Sequence, residues 1–193
     1  MTNFDSIFRH SNLTKTIDEA DSSILSNTTN IRLKKGLPVK PTQLLSYTVN
    51  MGNGLYNPTS GYNDSLGGIT STTGFYALGD ATNVQFFDDD GKGVLRRYRL
   101  SGSTRIYVDS VAGTVNYSTG LISINSISIT STVNADSTID FTLIPSGSDV
   151  VATRGILVDI SADDISVKGE VDTIASGESS AGVGYSSTSS STY

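Results

Sequence analysis

Residues 105–144 alternate branched or aromatic side chains with small polar ones along most of their length. This period of two is typical of β-strands that bury one face and expose the other. Turn-forming residues divide the stretch at 109–113 and again at 118–120. Short turns of this kind join neighbouring strands that pair antiparallel. The stretch therefore predicts an antiparallel sheet at the centre of the core.

The rest of the chain supports the same fold class. Residues 88–93 form an acidic, glycine-containing turn between two apolar runs, which predicts a hairpin. In residues 121–129 the apolar phase slips, so either both faces are covered or a β-bulge near 125–126 re-aims the strand. We predict a mainly β fold with antiparallel, sandwich-like sheets. Further strands are predicted at residues 31–33, 45–51, 74–78, 83–87, 94–100, 139–143 and 163–167, with Gly36 and Pro38 ending the first of these.

One short helix and two flexible ends complete the predicted architecture. Thr16 to Glu19 matches the capping-box pattern, which predicts a helix over residues 17–25. Residues 1–12 are predicted to be an N-terminal arm, with a frayed helix as the alternative. Residues 13–170 are predicted to form one β-rich assembly domain. Residues 171–193 form a Ser- and Gly-rich tail that cannot bury enough apolar surface to order itself.

Composition limits the classes of partner. The formal charge of −6 argues against nucleic acid or an anionic membrane surface as the main partner, since both recruit Lys and Arg. The chain contains no cysteine, which excludes disulfides and thiolate metal sites. The first residues lack the basic and apolar regions of a secretion signal. We therefore expect a soluble protein that is made in a cytoplasm.

No residue pattern predicts catalysis. His10 is the only histidine, so neither a Ser-His-Asp triad nor a histidine metal site is expected. A calcium loop beginning at Asp88 would have Lys92 and Arg99 in place of required oxygen ligands. An acidic hairpin tip is the better interpretation of that turn. We expect no enzyme activity, no cofactor and no metal, although a catalytic pair of aspartates remains formally open.

Candidate contact residues lie on loops, ends and one strand. The tyrosines of the long loop over residues 52–68 are equally consistent with packing against the base of that loop. Alternation places Arg97 and Arg99 on one face and Arg96 on the other with Tyr98. A strand edge guarded by charge is the default interpretation of these arginines, and a face that pairs with acidic groups on a neighbour is the alternative. The candidate interface residues are Phe4, Phe8, Tyr56, Tyr62, Arg97, Arg99, Tyr185 and Tyr193.

Three segments within residues 22–167 carry a resemblance to a known family. The first is SSILSNTTNIRLKKGLPV followed by LLSYTVNMGNG, the second is VDSVAGTVNYSTGLISINSISIT, and the last is SGSDVVATRGILVDISADDISV. Together they resemble the C-terminal region of baseplate wedge proteins of contractile-tailed bacteriophages, a group related to the Baseplate J-like proteins. The second segment resembles the hairpin-and-strand element of that family. The residues in its characteristic places are Gly113, Val115, Tyr117, Thr119, Gly120 and Ile122.

This resemblance implies a structural subunit of the virion, located in the tail baseplate and assembled in the host cytoplasm. It implies contacts with copies of the same chain and with other wedge and hub-proximal tail proteins, a rearrangement when the tail contracts, and no catalytic residues. Family members are usually far longer, so the chain is expected to be a C-terminal fragment or a compact version. A carbohydrate-binding or adhesin-type β module is the alternative, although the absence of Trp disfavours it.

Overall fold

The computed structural model describes residues 7–57, 70–152 and 159–171, and within them the chain is mainly β. It divides into two compact units, Met1–Val158 and Asp159–Tyr193. All named strands belong to the first unit. They are β1 (Ile7–Phe8), β2 (Leu33–Pro38), β3 (Leu44–Asn50), β4 (Ser71–Thr72), β5 (Phe75–Ala77), β6 (Asp80–Asp89), β7 (Val94–Ser101), β8 (Thr104–Asn116), β9 (Leu121–Thr132), β10 (Thr138–Leu143) and β11 (Val150–Val151), with one α-helix, α1 (His10–Asp18).

The largest sheet has six antiparallel strands in the order β3-β9-β5-β6-β7-β8. β9 pairs with β8 near its start, where Ile124 lies opposite Gly113, and with β5 near its end, where Thr132 lies opposite Phe75. The additional pairing of β8 with β9 closes β5 to β9 into a ring. Each of the strands β5 to β9 therefore has a paired neighbour on both sides over at least part of its length.

A second, three-stranded sheet in the order β2-β10-β4 shares the same hydrophobic core. Phe75 stacks on Phe87 with ring centroids 4.7 Å apart, and Phe87 in turn stacks on Phe141 of β10 at 6.1 Å. All three rings are fully buried. The prediction of antiparallel sheets around one core is confirmed.

The phase slip in β9 is a β-bulge, as the sequence allowed. Leu45 lies opposite Ile127 and Tyr47 lies opposite Ile124, so β9 uses one more residue than β3 across this interval. The extra residue moves the strand's buried face, which keeps Ile124 and Ile129 both in the core. The predicted β8–β9 turn at 118–120 is also confirmed, and Gly120 adopts a φ of +71° there.

The predicted turn at residues 109–113 is wrong, because β8 continues through it. Leu95 lies opposite Gly113 and Arg97 lies opposite Asp109, so three residues of β8, 110–112, face the single residue Arg96 of β7. The strand bulges instead of reversing. A Cβ atom on Gly113 would lie 2.1 Å from the backbone oxygen of Ser123, so this glycine lets β9 approach the strand closely.

The predicted helix at 17–25 is also wrong, because α1 spans His10–Asp18. The hydroxyl of Thr16 donates to the carbonyl oxygen of Asn12 at 2.8 Å and so does not cap a following helix. The carboxylate of Asp149 instead accepts the backbone N–H of His10 at 3.0 Å. A residue remote in sequence thus supplies the negative group that a helix N-terminus favours.

Two further elements differ from the prediction. β2 runs through Gly36 to Pro38 instead of ending there, because β10 pairs along its whole length. Residues 163–167 form no strand, since the described part of the second unit contains only a 3-10 turn at Ala162–Asp164. Residues 172–193 lie outside the described residues. Within those described residues, no helix is long and apolar enough to cross a membrane.

Candidate functional site

A cluster of charged and aromatic side chains, centred on the buried Asp88, joins β6, β7 and β8. The carboxylate of Asp88 has no exposed surface and accepts hydrogen bonds from Arg96 Nε at 3.0 Å and Arg105 Nη1 at 2.9 Å. The hydroxyl of Tyr107 donates to the same carboxylate at 3.0 Å. Arg96 lies 4.5 Å from the ring centre of Tyr107, and Arg105 lies 4.7 Å from that of Tyr98. These five residues form what we call the Asp88 cluster.

Burial dominates the electrostatics of this cluster. It raises the pKa of Asp88 from 3.8 to about 6, although Arg96, Tyr107 and Arg105 each act in the opposite direction. Burial likewise raises the pKa of Tyr98 and of Tyr107. Hydrogen-bonded ion pairs and stacked cations of this kind are rigid. We interpret the cluster as a structural fastening of three neighbouring strands.

The acidic turn between β6 and β7 is stabilised by its own carboxylates. Buried Asp89 accepts hydrogen bonds from the backbone N–H of Thr70 at 2.8 Å and from the hydroxyl of Tyr117 at 2.7 Å. Asp90 accepts the backbone N–H of Val94 at 2.9 Å. Within residues 7–57, 70–152 and 159–171, no group of three or more acidic or histidine side chains is arranged to hold a metal ion. The aspartates satisfy backbone donors, as an acidic hairpin tip requires.

Arg97 and Arg99 share the face of β7 opposite to the Asp88 cluster, as the alternation predicts. Arg97 donates to the side chain of Gln85 at 3.0 Å and lies 3.9 Å from the carboxylate of Asp109. Arg99 donates to Asn83 at 3.3 Å. The default interpretation of a guarded edge is wrong, because β7 pairs with β6 on one side and with β8 on the other.

A small cavity of about 40 Å³ opens beside Arg97, where β8 and β9 separate. Asp109, Asn125 and Ile127 are among its lining residues. The Nε atom of Arg97 is buried and has no hydrogen-bond partner within the described part of the chain. A cavity of this size holds ordered water, so a water molecule there would satisfy the Arg97 N–H.

The N-terminal segment docks onto the far end of the first unit. β1 pairs with β11, with Ile7 opposite Val151 and Phe8 opposite Val150. On the other edge of β11, the side-chain amide of Asn53 pairs with the backbone of Val151, accepting at 3.0 Å and donating at 3.1 Å. Phe8 is half-buried in this arrangement. The predicted arm is thus paired over its described part, and residues 1–6 lie outside the described residues.

Polar contacts hold the start of α1. Asp149 accepts the His10 N–H and pairs with Arg9 at 2.7 Å, and these contacts hold the pKa of the Asp149 carboxyl below its usual value. The ring Nε2 of His10 lies 3.0 Å from the carbonyl oxygen of Thr29. No residue from 7 to 36 is buried, and Leu37 is the first that is. Residues 7–32 therefore lie on the surface of the unit, whereas the half-buried Leu33, at the start of β2, packs against its core.

The structure separates the remaining predicted contact residues. Tyr56 follows the buried Leu55 and is 42% exposed, so its ring is available at the surface. Phe4, Tyr62, Tyr185 and Tyr193 lie outside the described residues. The sequence analysis did not select Asp88, Tyr107 or Tyr117 as partners, because their contacts join strands that are distant in sequence. The spacing of Arg105 and Tyr107 on one strand face was the only available signal.

Comparison with known proteins gives one match. Residues 1–36 match the family of the baseplate structural protein gp6, C-terminal domain III. No curated protein and no solved structure matches the chain. The match covers the surface-docked N-terminal segment and ends one residue before the first buried position. It supports a structural role in a phage baseplate.

Proposed function

We propose that the chain is a structural subunit of a phage baseplate wedge, which joins neighbouring wedge subunits around the hub. The observation that carries this proposal is the match of residues 1–36 to a baseplate structural domain, over a segment in which no residue from 7 to 36 is buried. A segment that lies largely on the surface of its own unit is suited to contacts with other subunits. Rearrangement during tail contraction is part of the same proposal.

The surface of this segment supports an association role. Helix α1 has no buried residue, and its apolar residues Leu13 and Ile17 are only half covered. Leu25, which follows the helix, is 66% exposed. Apolar side chains left uncovered on one segment are a recurrent feature of contact surfaces. In a baseplate, these side chains would be covered by an adjoining subunit.

Tail particles isolated from infected cells test the proposal. We expect quantitative mass spectrometry to find the tagged full-length chain in a fixed ratio to other baseplate proteins. Leu25→Asp should reduce its incorporation, because the charge would lie in the contact. Leu78→Asp is the matched control, since Leu78 is 74% exposed on a different part of the surface. Absence of the wild-type chain from purified tails would overturn the proposal.

Two additional measurements address the finer claims. Cross-linking of extended and contracted tails should give different partners for the chain if it rearranges on contraction. Identical cross-links in both states would remove that part of the proposal. Saturable glycan binding that is lost in Tyr56→Ala would favour the carbohydrate-binding alternative, because Tyr56 is the exposed ring available for stacking on a sugar.

A further inference from the structure

The first half of β8 has an open edge. It pairs with β7 from Ser101 opposite Thr104 to Arg97 opposite Asp109. Pairing with β9 begins only at Gly113 and continues to Asn116. Among residues 7–57, 70–152 and 159–171, no strand pairs with the second edge of residues 104–109. The bulge that carries β8 towards β9 thus leaves residues 104–109 paired on one side only. The backbone N–H and C=O groups on their second edge face outwards.

The composition of this edge favours pairing. Ile106, Tyr107 and Val108 are 38%, 39% and 44% exposed, and Val111 is 60% exposed. Soluble proteins usually protect open edges with charged residues, lysine above all, or with proline. Residues 104–111 contain no lysine or proline, and their two charged residues, Arg105 and Asp109, face Asp88 and Arg97 of the same sheet. A row of β-branched and aromatic residues whose second edge pairs with no described strand is a template for another strand. We infer that this edge is covered in the assembled state.

The charge next to the edge indicates what covers it. Arg99 of β7 lies directly opposite Ile106 of β8. Within the described residues, its polar partner is the side-chain amide oxygen of Asn83. Arg97, on the same face, bonds to the amide of Gln85 and lies 3.9 Å from Asp109. On this face of the sheet, the two guanidinium groups of Arg97 and Arg99 thus have one neighbouring carboxylate, that of Asp109. A strand added to β8 would lie roughly 10 Å from β7, which long side chains on one face can span.

We propose that residues 104–109 of β8 accept an extended segment of another baseplate subunit, which adds to the sheet as a strand and directs an acidic side chain towards Arg99. The inference rests on the proposed function, because the partner is another subunit of the same assembly. Backbone hydrogen bonds would supply most of the affinity, and the contact with Arg99 would set the register.

Hydrogen–deuterium exchange of the full chain tests this inference, measured on the isolated protein and on purified tails. Amides of residues 104–109 that face away from β7 should exchange at least about tenfold more slowly in tails. Residues 113 and 114 pair with both β7 and β9 in the isolated chain, and their amides serve as the internal reference. If the chain is present in tails but 104–109 exchanges as in the isolated protein, this inference fails while the proposed function stands. Absence of the chain from tails overturns both.

Lysine substitution at the edge gives an independent test. Val108→Lys should lower incorporation into tails about tenfold or more, because a lysine on an edge strand disfavours strand addition. Val133→Lys is the matched control, since Val133 is 58% exposed and lies outside the edge. Far-UV circular dichroism and urea unfolding of both variants confirm that each is folded. Equal incorporation of the two variants would overturn the inference.

The identity of the partner is tested through charge and self-association. Arg99→Glu should reduce incorporation, whereas Lys40→Glu, at an exposed lysine remote from the edge, should not. Equal effects of both changes would overturn the acidic contact. Dimerisation of the isolated chain that Val108→Lys abolishes would assign the edge to a second copy, and would likewise overturn the assignment to an acidic segment of another subunit.

Discussion

Replacing Tyr117 with Phe removes one hydroxyl from the centre of the fold. That hydroxyl donates to Asp89 at 2.7 Å, and the carboxylate of Asp89 is fully buried. Burial, followed by this hydrogen bond, raises the pKa of Tyr117 well above its usual value, so the hydroxyl remains a donor through the neutral range. Hydrogen bonds to charged groups contribute roughly 1.5 to 3 kcal/mol. We therefore expect Tyr117→Phe to lower the free energy of unfolding by about 2 kcal/mol.

The measurement is urea unfolding followed by far-UV circular dichroism, with Tyr47→Phe as the matched control. The hydroxyl of Tyr47 accepts the backbone N–H of Lys40 at 3.3 Å, a long and neutral hydrogen bond in an exposed place. Its removal should cost less than about 0.5 kcal/mol. Tyr117→Phe should lower Tm by roughly 4 to 8 °C at an unchanged m-value. Equal costs in the two variants would show that the Asp89 hydrogen bond contributes no more than a surface contact, and would refute the reasoning.

Three other changes test separate parts of the structure. Gly113→Ala should destabilise the fold by about 3 kcal/mol in urea unfolding, because its Cβ would meet the Ser123 backbone oxygen, whereas Gly147→Ala, where the Cβ meets nothing within 4 Å, should be nearly neutral. Since burial raises the pKa of Asp88 to about 6, the stability that its protonation confers is complete below pH 3.8 and is lost as the pH rises through about 6. The stability advantage of the wild type over Asp88→Asn should therefore fall by up to about 3 kcal/mol between about pH 4 and 7, and an advantage that grows would contradict this. Asp149→Ala should speed amide exchange in the first turn of α1 without changing Tm, and unchanged exchange would show that this carboxylate does not cap the helix.

Period-two alternation predicted the strands well, because a strand that buries one face shows alternating apolar and polar residues within its own sequence. β10 illustrates this, since Ile139, Phe141 and Leu143 are all buried. The turn predicted at 109–113 failed for a non-local reason. Asp109 and Gly113 are turn-forming residues, but here Gly113 serves the close approach of β9 and Asp109 lies opposite Arg97. Local propensity cannot distinguish a turn from a bulge when a partner strand decides between them.

The start of α1 could not be predicted for the same kind of reason. Its N-terminal N–H group is satisfied by Asp149, a residue 139 positions away from His10. The local capping-box pattern at Thr16 was more conspicuous but is not used. The placement of Arg96 and Arg97 on opposite faces of β7 was predictable, because side chains alternate along any strand. Whether β7 lay at an edge was not predictable, since that depends on where β8 turns towards β9.

The distribution of buried residues explains why the two proposed contact surfaces differ in kind. Closure of β5 to β9 into a ring, with the second sheet across the core, lets the first unit bury its large apolar side chains without residues 7–32. That segment can therefore change partners at little cost to the fold, as an association segment requires. The β8 edge belongs to the ring itself, and its open groups follow from the bulge that closes the ring. Changes in the N-terminal segment should thus affect assembly alone, whereas changes at the bulge, such as Gly113→Ala, should affect folding and assembly together.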